Sequence, residues 1–141
     1  MSRVGRTVPI PNVSRHARQQ ASFAAMSVIR KETEMIQYIV KVYENKIEWY
    51  NEQNQLDRED GPAVEYANGS KRWFRNNQLH REDGPAVEHA DGTKYWYLNG
   101  QLHREDGPAV EYADGRKEYW LLDIQYAKKK YLQQIKLKAF W

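Results

Sequence analysis

Along much of the chain, apolar and polar residues alternate in short runs broken by turn residues, and the same pattern returns every 23 residues. LDREDGPAVEYANGSKRWFRNNQ spans Leu56 to Gln78 and LHREDGPAVEHADGTKYWYLNGQ spans Leu79 to Gln101. LHREDGPAVEYADGRKEYWLLDIQ follows from Leu102 to Gln125 and reads one residue longer. A worn copy over 35–55 precedes them, setting Tyr43 under Tyr66, Tyr50 under Trp73 and Gln55-Leu56 under Gln78-Leu79. A fixed period of this size predicts an array in which each unit packs on its neighbours.

Within a unit the hydrophobic period is two. Val64, Val87 and Val110 share a face with Tyr66, His89 and Tyr112, while Glu65, Glu88 and Glu111 point the other way. Asn68-Gly69, Asp91-Gly92 and Asp114-Gly115 then predict two-residue type I′ turns. Aromatic strands follow at Lys71 to Phe74, Lys94 to Leu98 and Lys117 to Leu121. A second turn is expected at Asn76-Asn77 and Asn99-Gly100; the third copy reads Leu121-Leu122-Asp123-Ile124 there and loses that hairpin signal. Pro62, Pro85 and Pro108 cannot donate to a ladder and mark strand starts. The expected fold is mainly β, a single-layer antiparallel meander of hairpin repeats flanked by terminal helices.

The ends supply those helices. Residues 126–141 space Ala127, Tyr131, Ile135 and Ala139 at four-residue intervals among lysines, the pattern of an amphipathic basic helix. Such a helix is expected to cap the last repeat, Tyr131, Leu132 and Ile135 covering Leu121, Leu122 and Ile124. Ser14 is read as the N-cap of another helix running to about Ile29, and Met35 to Val42 as an entry strand. The organisation is therefore a basic arm and helix over 1–34, repeats over 35–125 (worn over 35–55, then 56–78, 79–101 and 102–125), and a basic cap over 126–141.

At 141 residues the chain is sized for one domain. Its net charge of +3 divides into +4 for residues 1–34, −6 for 35–125 and +5 for 126–141, so a basic pI belongs to the ends. No run approaches the roughly 18 apolar residues of a membrane span. Ala21 to Ile29 is apolar, but its long polar leader with Pro9 and Pro11 does not suit a signal peptide. Arg3, Arg6, Arg15 and Arg18, with no acidic residue before Glu32, fit an organellar presequence as well as an extended arm, and the arm is the reading preferred. The absence of cysteine removes disulfides, thiolate nucleophiles and Cys-based zinc sites, and points to the cytoplasm, or a host cytoplasm for a viral chain.

His-Arg-Glu-Asp, a base, a guanidinium and two carboxylates, is the tempting chemical motif. Its recurrence in equivalent settings argues instead for an inter-repeat corner, with Asp accepting turn N–H groups and Arg pairing with a carboxylate. Arg81 and Arg104 within the cassette lower the field a Ca²⁺ array would need, and His80 and His103 lack a zinc-binding partner spacing. No catalytic residue, cofactor or metal is expected. The aromatic column is the better candidate: Trp73, Trp96 and Tyr119 recur at 23-residue offsets, with Phe74, Tyr97 and Trp120 beside them on the opposite face. A single-layer sheet cannot cover both faces, so one column stands in solvent, under a terminal helix, or on a partner; a cross-strand ring ladder holding the sheet is the reading preferred. The candidate partner-binding residues are Trp73, Trp96, Tyr119, Tyr97 and Trp120, with Lys128, Lys129 and Lys130 at the basic end.

The order Tyr-Ala-Asp-Gly, a Trp-bearing strand, Asn-Gly, two residues, His, and then the next Tyr-Ala-Asp-Gly resembles the MORN repeat over roughly 42–125. Where that family has His-Gly-x-Gly, this chain reads His80-Arg81-Glu82-Asp83-Gly84 and His103-Arg104-Glu105-Asp106-Gly107, and Asp57 replaces the first His. The HREDGPA cassette is similar to repeats of uncharacterised bacterial and phage proteins. The resemblance implies an elongated sheet used for protein contacts, with membrane-lipid binding sometimes proposed for the family. The expected function is a non-enzymatic protein–protein interaction or assembly module. Alternatives are nucleic-acid association through the basic ends, an acidic body mimicking phosphate against a host factor, a peripheral adaptor on anionic membrane using Lys128 to Lys130 and Phe140-Trp141, or a homo-oligomer.

Overall fold

The structure, a computed structural model, describes residues 25–31 and 36–141, with side chains from Gln37 onward. Strands β1 (Ala25–Lys31), β2 (Ile36–Val42) and β3 (Lys46–Tyr50) open an antiparallel sheet. The first full copy contributes β4 (Val64–Tyr66), β5 (Lys71–Arg72), β6 (Phe74–Arg75) and β7 (Gln78–Leu79). The second contributes β8 (Val87–Glu88), β9 (Lys94–Tyr95), β10 (Tyr97–Leu98) and β11 (Gln101–Leu102). The third contributes β12 (Val110–Glu111), β13 (Lys117–Leu121) and β14 (Ile124–Tyr126), and helix α1 (Lys128–Lys138) follows.

Ten strands form one sheet in the order β1-β2-β3-β4-β5-β8-β9-β12-β13-β14, while β6-β7 and β10-β11 stand apart as two-stranded hairpins. The expected aromatic strand is thus broken at its Trp. Trp73 and Trp96 each donate N–H forward to Ala86 and Ala109 in the sheet, and their carbonyls accept from His80 and His103 of the side hairpin. Backbone pairing changes hands at that one residue, which a continuous strand cannot do.

Register places two columns on opposite faces. One runs Val64, Arg72, Val87, Tyr95, Val110, Glu118. The other runs Glu65, Lys71, Glu88, Lys94, Glu111, Lys117, an unbroken alternation of charge across six strands. The core is correspondingly thin: Ala63, Ala86 and Ala109 are fully enclosed beside buried Val64, Val87 and Val110, and Tyr38, Val40 and Trp49 form a cluster at the entry.

The first turn of each copy differs from expectation. In the Asn/Asp-Gly loops only the glycine has positive φ, and Gly92 N–H donates to His89 O at 3.0 Å, so each is a type I turn closed by a glycine bulge. Asp91 Oδ1 accepts the Thr93 N–H at 2.8 Å, an Asx closure that favours this arrangement. The type I′ geometry belongs to the second turns, where Asn76-Asn77, Asn99-Gly100 and Leu122-Asp123 all have positive φ. The third copy therefore keeps its hairpin, Leu121 pairing with Ile124, and contains no extra residue.

The ends need correction too. Ala25 to Ile29, expected as helix, belongs to β1 and pairs residue by residue with β2, because the sheet edge offers a complete ladder to a segment containing Val28 and Ile29. Residues 14–24 of that expected helix, and the arm before them, lie outside the described residues. In the worn copy, Trp49 and not Tyr50 occupies the Trp73 slot, donating to Ala63 O at 2.8 Å and accepting from Asp57 N–H. Its first turn, Tyr43 to Lys46, is one residue shorter than Tyr66 to Ser70, which shifts the strand by one.

Candidate functional site

The repeated cassette is built around arginine. Arg58, Arg81 and Arg104 lie over the rings of Trp49, Trp73 and Trp96 at 4.2, 4.0 and 4.0 Å from the ring centroid. From there Arg81 Nε donates to Asp83 at 2.8 Å, while Nη1 donates to Pro85 O and to Glu88, both at 3.1 Å. Arg58 and Arg104 repeat every contact. One planar cation thus ties a preceding indole, its own corner and a strand of the following sheet pair, a task that suits a fork of fixed donors. The corner glycine is part of the design: a Cβ on Gly84 would fall 3.0 Å from Arg81 Cζ.

Asp83 and Asp106 are held below the usual carboxylate range by the hydrogen bonds from Arg81 and Arg104. A carboxyl depressed in the folded chain stabilises it above the unfolded value and loses that contribution as pH falls through the folded one. The cassette aspartates, expected to accept turn N–H groups, are bonded chiefly by their own arginines.

The cassette histidines complete the inter-repeat contacts. His80 Nδ1 accepts the Asn99 N–H at 3.0 Å and His103 Nδ1 accepts the Leu122 N–H at 3.2 Å, each at the type I′ turn of the next side hairpin. Asp57 does the same for Asn76 N–H at 2.9 Å, which explains why Asp and His exchange here. The next residue of each turn donates to the carbonyl of Leu56, Leu79 or Leu102. At the other sheet margin, Ser70 and Thr93 hydroxyls accept the N–H groups of Ala90 and Ala113. Among the described residues no group of His, Asp and Glu is arranged to hold a metal ion.

The predicted aromatic residues divide. Trp73 and Trp96 are half-buried under the guanidinium roof. No fourth cassette follows Tyr119, and Tyr131 of α1 takes the vacant place with ring centroids 4.9 Å apart. Tyr131 is 2% exposed; its hydroxyl donates to Arg104 O at 2.8 Å and accepts from Gly107 N–H at 3.1 Å. Burial pushes its phenol pKa up. Lys138 ion-pairs with Glu105 beside it, and Glu105 is held low chiefly by that bond. The capping helix is therefore in place, but the expected apolar cover is only partial: Tyr131 is buried and Ile135 and Leu121 are half-buried, while Leu132 is 48%, Leu122 53% and Ile124 57% exposed. Tyr97 and Trp120 are half-buried, Tyr97 with its pKa raised by burial and Trp120 Nε1 donating to Glu118 at 2.9 Å. Lys128, Lys129 and Lys130 are exposed on the first turn of α1.

What the sequence reading missed is the groove between the second and third cassettes. This cleft of about 730 Å³ is lined by Arg81, Glu82, Asp83, Trp96, Leu98 and His103, with Arg104, Glu105 and Asp106 completing its rim. A signal was available, since Arg stands eight residues after Trp in both Trp73/Arg81 and Trp96/Arg104. No protein-family model, curated protein or solved structure matches the chain.

Proposed function

We propose that the chain is a non-enzymatic interaction or assembly module of MORN-like repeats, working in the cytoplasm and docking a protein partner along its cassette edge. The observation that carries this reading is the commitment of Arg58, Arg81 and Arg104, and of Asp57, His80 and His103, to the same structural contacts in successive copies. A catalytic group needs an environment of its own, and these groups share theirs. The groove is lined by Leu98 and Trp96 together with four carboxylates, of Glu82, Asp83, Glu105 and Asp106, against the guanidinium groups of Arg81 and Arg104. Glu82, 83% exposed at its side chain, is the groove acid farthest from structural duty, its only ion-pair contact among the described residues being His80 at 3.6 Å. The partner is accordingly a protein segment bearing basic side chains.

The test is affinity capture from the source cell with nuclease present, using the intact chain and Glu82→Lys in parallel. A protein recovered by the parent and lost by the variant, with the two melting alike, is the expected result. Equal recovery by both, or an enzymatic activity lost on His80→Ala/His103→Ala, refutes the reading.

A further inference from the structure

We infer that the solvent side of helix α1 docks on an anionic lipid surface. This goes beyond protein binding in the groove and uses different residues.

Among the described residues, every large apolar side chain that stands exposed lies between 122 and 141: Leu122, Ile124, Leu132, Leu137, Phe140 and Trp141. The helix is anchored from its other side. Tyr131 is enclosed under the last cassette and Lys138 reaches Glu105, which leaves Leu132, Gln133, Lys136 and Leu137 outward. A partner that wraps a helix in a groove needs more of its circumference than this; a flat surface needs one side. Eleven residues rise only about 16 Å, half of a hydrocarbon core, so the helix lies on a bilayer and does not cross it.

Charge identifies which surface. Lys128, Lys129 and Lys130 crowd the first turn, no acidic residue accompanies them, and Ala127 provides no side-chain cap. Cations at a helix N-terminus oppose the macrodipole, so these lysines work against the helix that carries them. A local rule broken without compensation among the described residues points to an external counter-charge. Anionic headgroups supply it, relieving the lysines and the uncapped N–H groups together. Lysine stems can lie along the apolar side chains while their ammonium groups reach the headgroups, and Trp and Phe suit the same depth. Two copies meeting through this helix would bring together two segments of +5, which disfavours self-pairing. The net −6 of residues 35–125 turns the array away from the same surface and leaves its groove facing outward.

The test is co-sedimentation of the full chain with phosphatidylcholine vesicles, with and without about 30 mol % phosphatidylserine, at physiological salt. Binding at least about tenfold tighter to the anionic vesicles is expected. Lys128→Gln/Lys129→Gln/Lys130→Gln should weaken it about a hundredfold, and Phe140→Ser/Trp141→Ser at least about tenfold, with neither variant melting below the parent because Tyr131 is untouched and loss of the lysines relieves the macrodipole. Equal affinity for neutral and anionic vesicles overturns the proposal, as does parent-like binding by either variant. Concentration-dependent dimers that ignore vesicles would assign the face to a second copy, and RNA binding with no vesicle binding would assign it to nucleic acid; both also overturn it.

Discussion

Arg81 concentrates more of the fold than any hydrophobic residue in its repeat. It stacks on Trp73, pairs with Asp83 and Glu88, and satisfies the Pro85 carbonyl, all from one half-buried guanidinium. A lysine at that position keeps the charge and loses the fork, so at most one of the three acceptors retains its geometry. Arg81→Lys should therefore destabilise the protein by about 1–3 kcal/mol in denaturant titrations, a loss well above that of an ordinary surface ion pair. An unchanged midpoint would mean that the stack is incidental. The arginine and its partners are all visible in the sequence, but their contacts are not. The resemblance of the cassette to a catalytic set draws the eye along the chain, whereas Arg81 acts across it, on an indole eight residues earlier and a carboxylate seven residues later.

At the level of elements, turns carry the register. Gly92 has φ +94° with no atom within 4 Å of a would-be Cβ, so the position is roomy and conformationally restricted at once. Gly92→Val should cost at least about 1 kcal/mol through backbone strain alone. Leu122 presents the reverse case, a bulky residue at φ 48° where its neighbours in the array have Asn76 and Asn99. Leu122→Asn should raise thermal stability by up to about 1 kcal/mol, since Asn tolerates that region and Leu does not. Calorimetry that reversed either sign would refute the turn assignment. Turn positions were legible in the Asn/Asp-Gly and Asn-Asn dipeptides, but the Leu122-Asp123 turn and the turn types were not. Asn-Gly serves both type I′ and the glycine-bulge loop, and the choice falls to the Asx bonds in which Asn68, Asp91 and Asp114 Oδ1 accept the N–H of the residue two further on. Ala25 to Ile29 was misread because the ladder that makes it a strand comes from β2.

Across the whole molecule, the 23-residue period made the antiparallel meander readable in advance, but not the two side hairpins that leave its ten-stranded sheet. The thin core left the lateral bonds undetermined. Each joint combines a cassette arginine, an acceptor at Asp57, His80 or His103 for the next turn, and a carbonyl from Leu56, Leu79 or Leu102. Stability should then follow nearest-neighbour arithmetic, each repeat adding its own term and one interface. The cap obeys the same logic, Tyr131 filling on Tyr119 the place an arginine would otherwise take. The equivalence of the joints is the central claim, and deletion of residues 79–101 addresses it most directly, because Gln78 then meets Leu102 just as it now meets Leu79. Thermal unfolding of the shortened chain should remain a single cooperative transition at a lower melting temperature, with the β signal retained in the far ultraviolet. A chain that fails to fold, or one that melts where the parent does, would contradict an array of equivalent units.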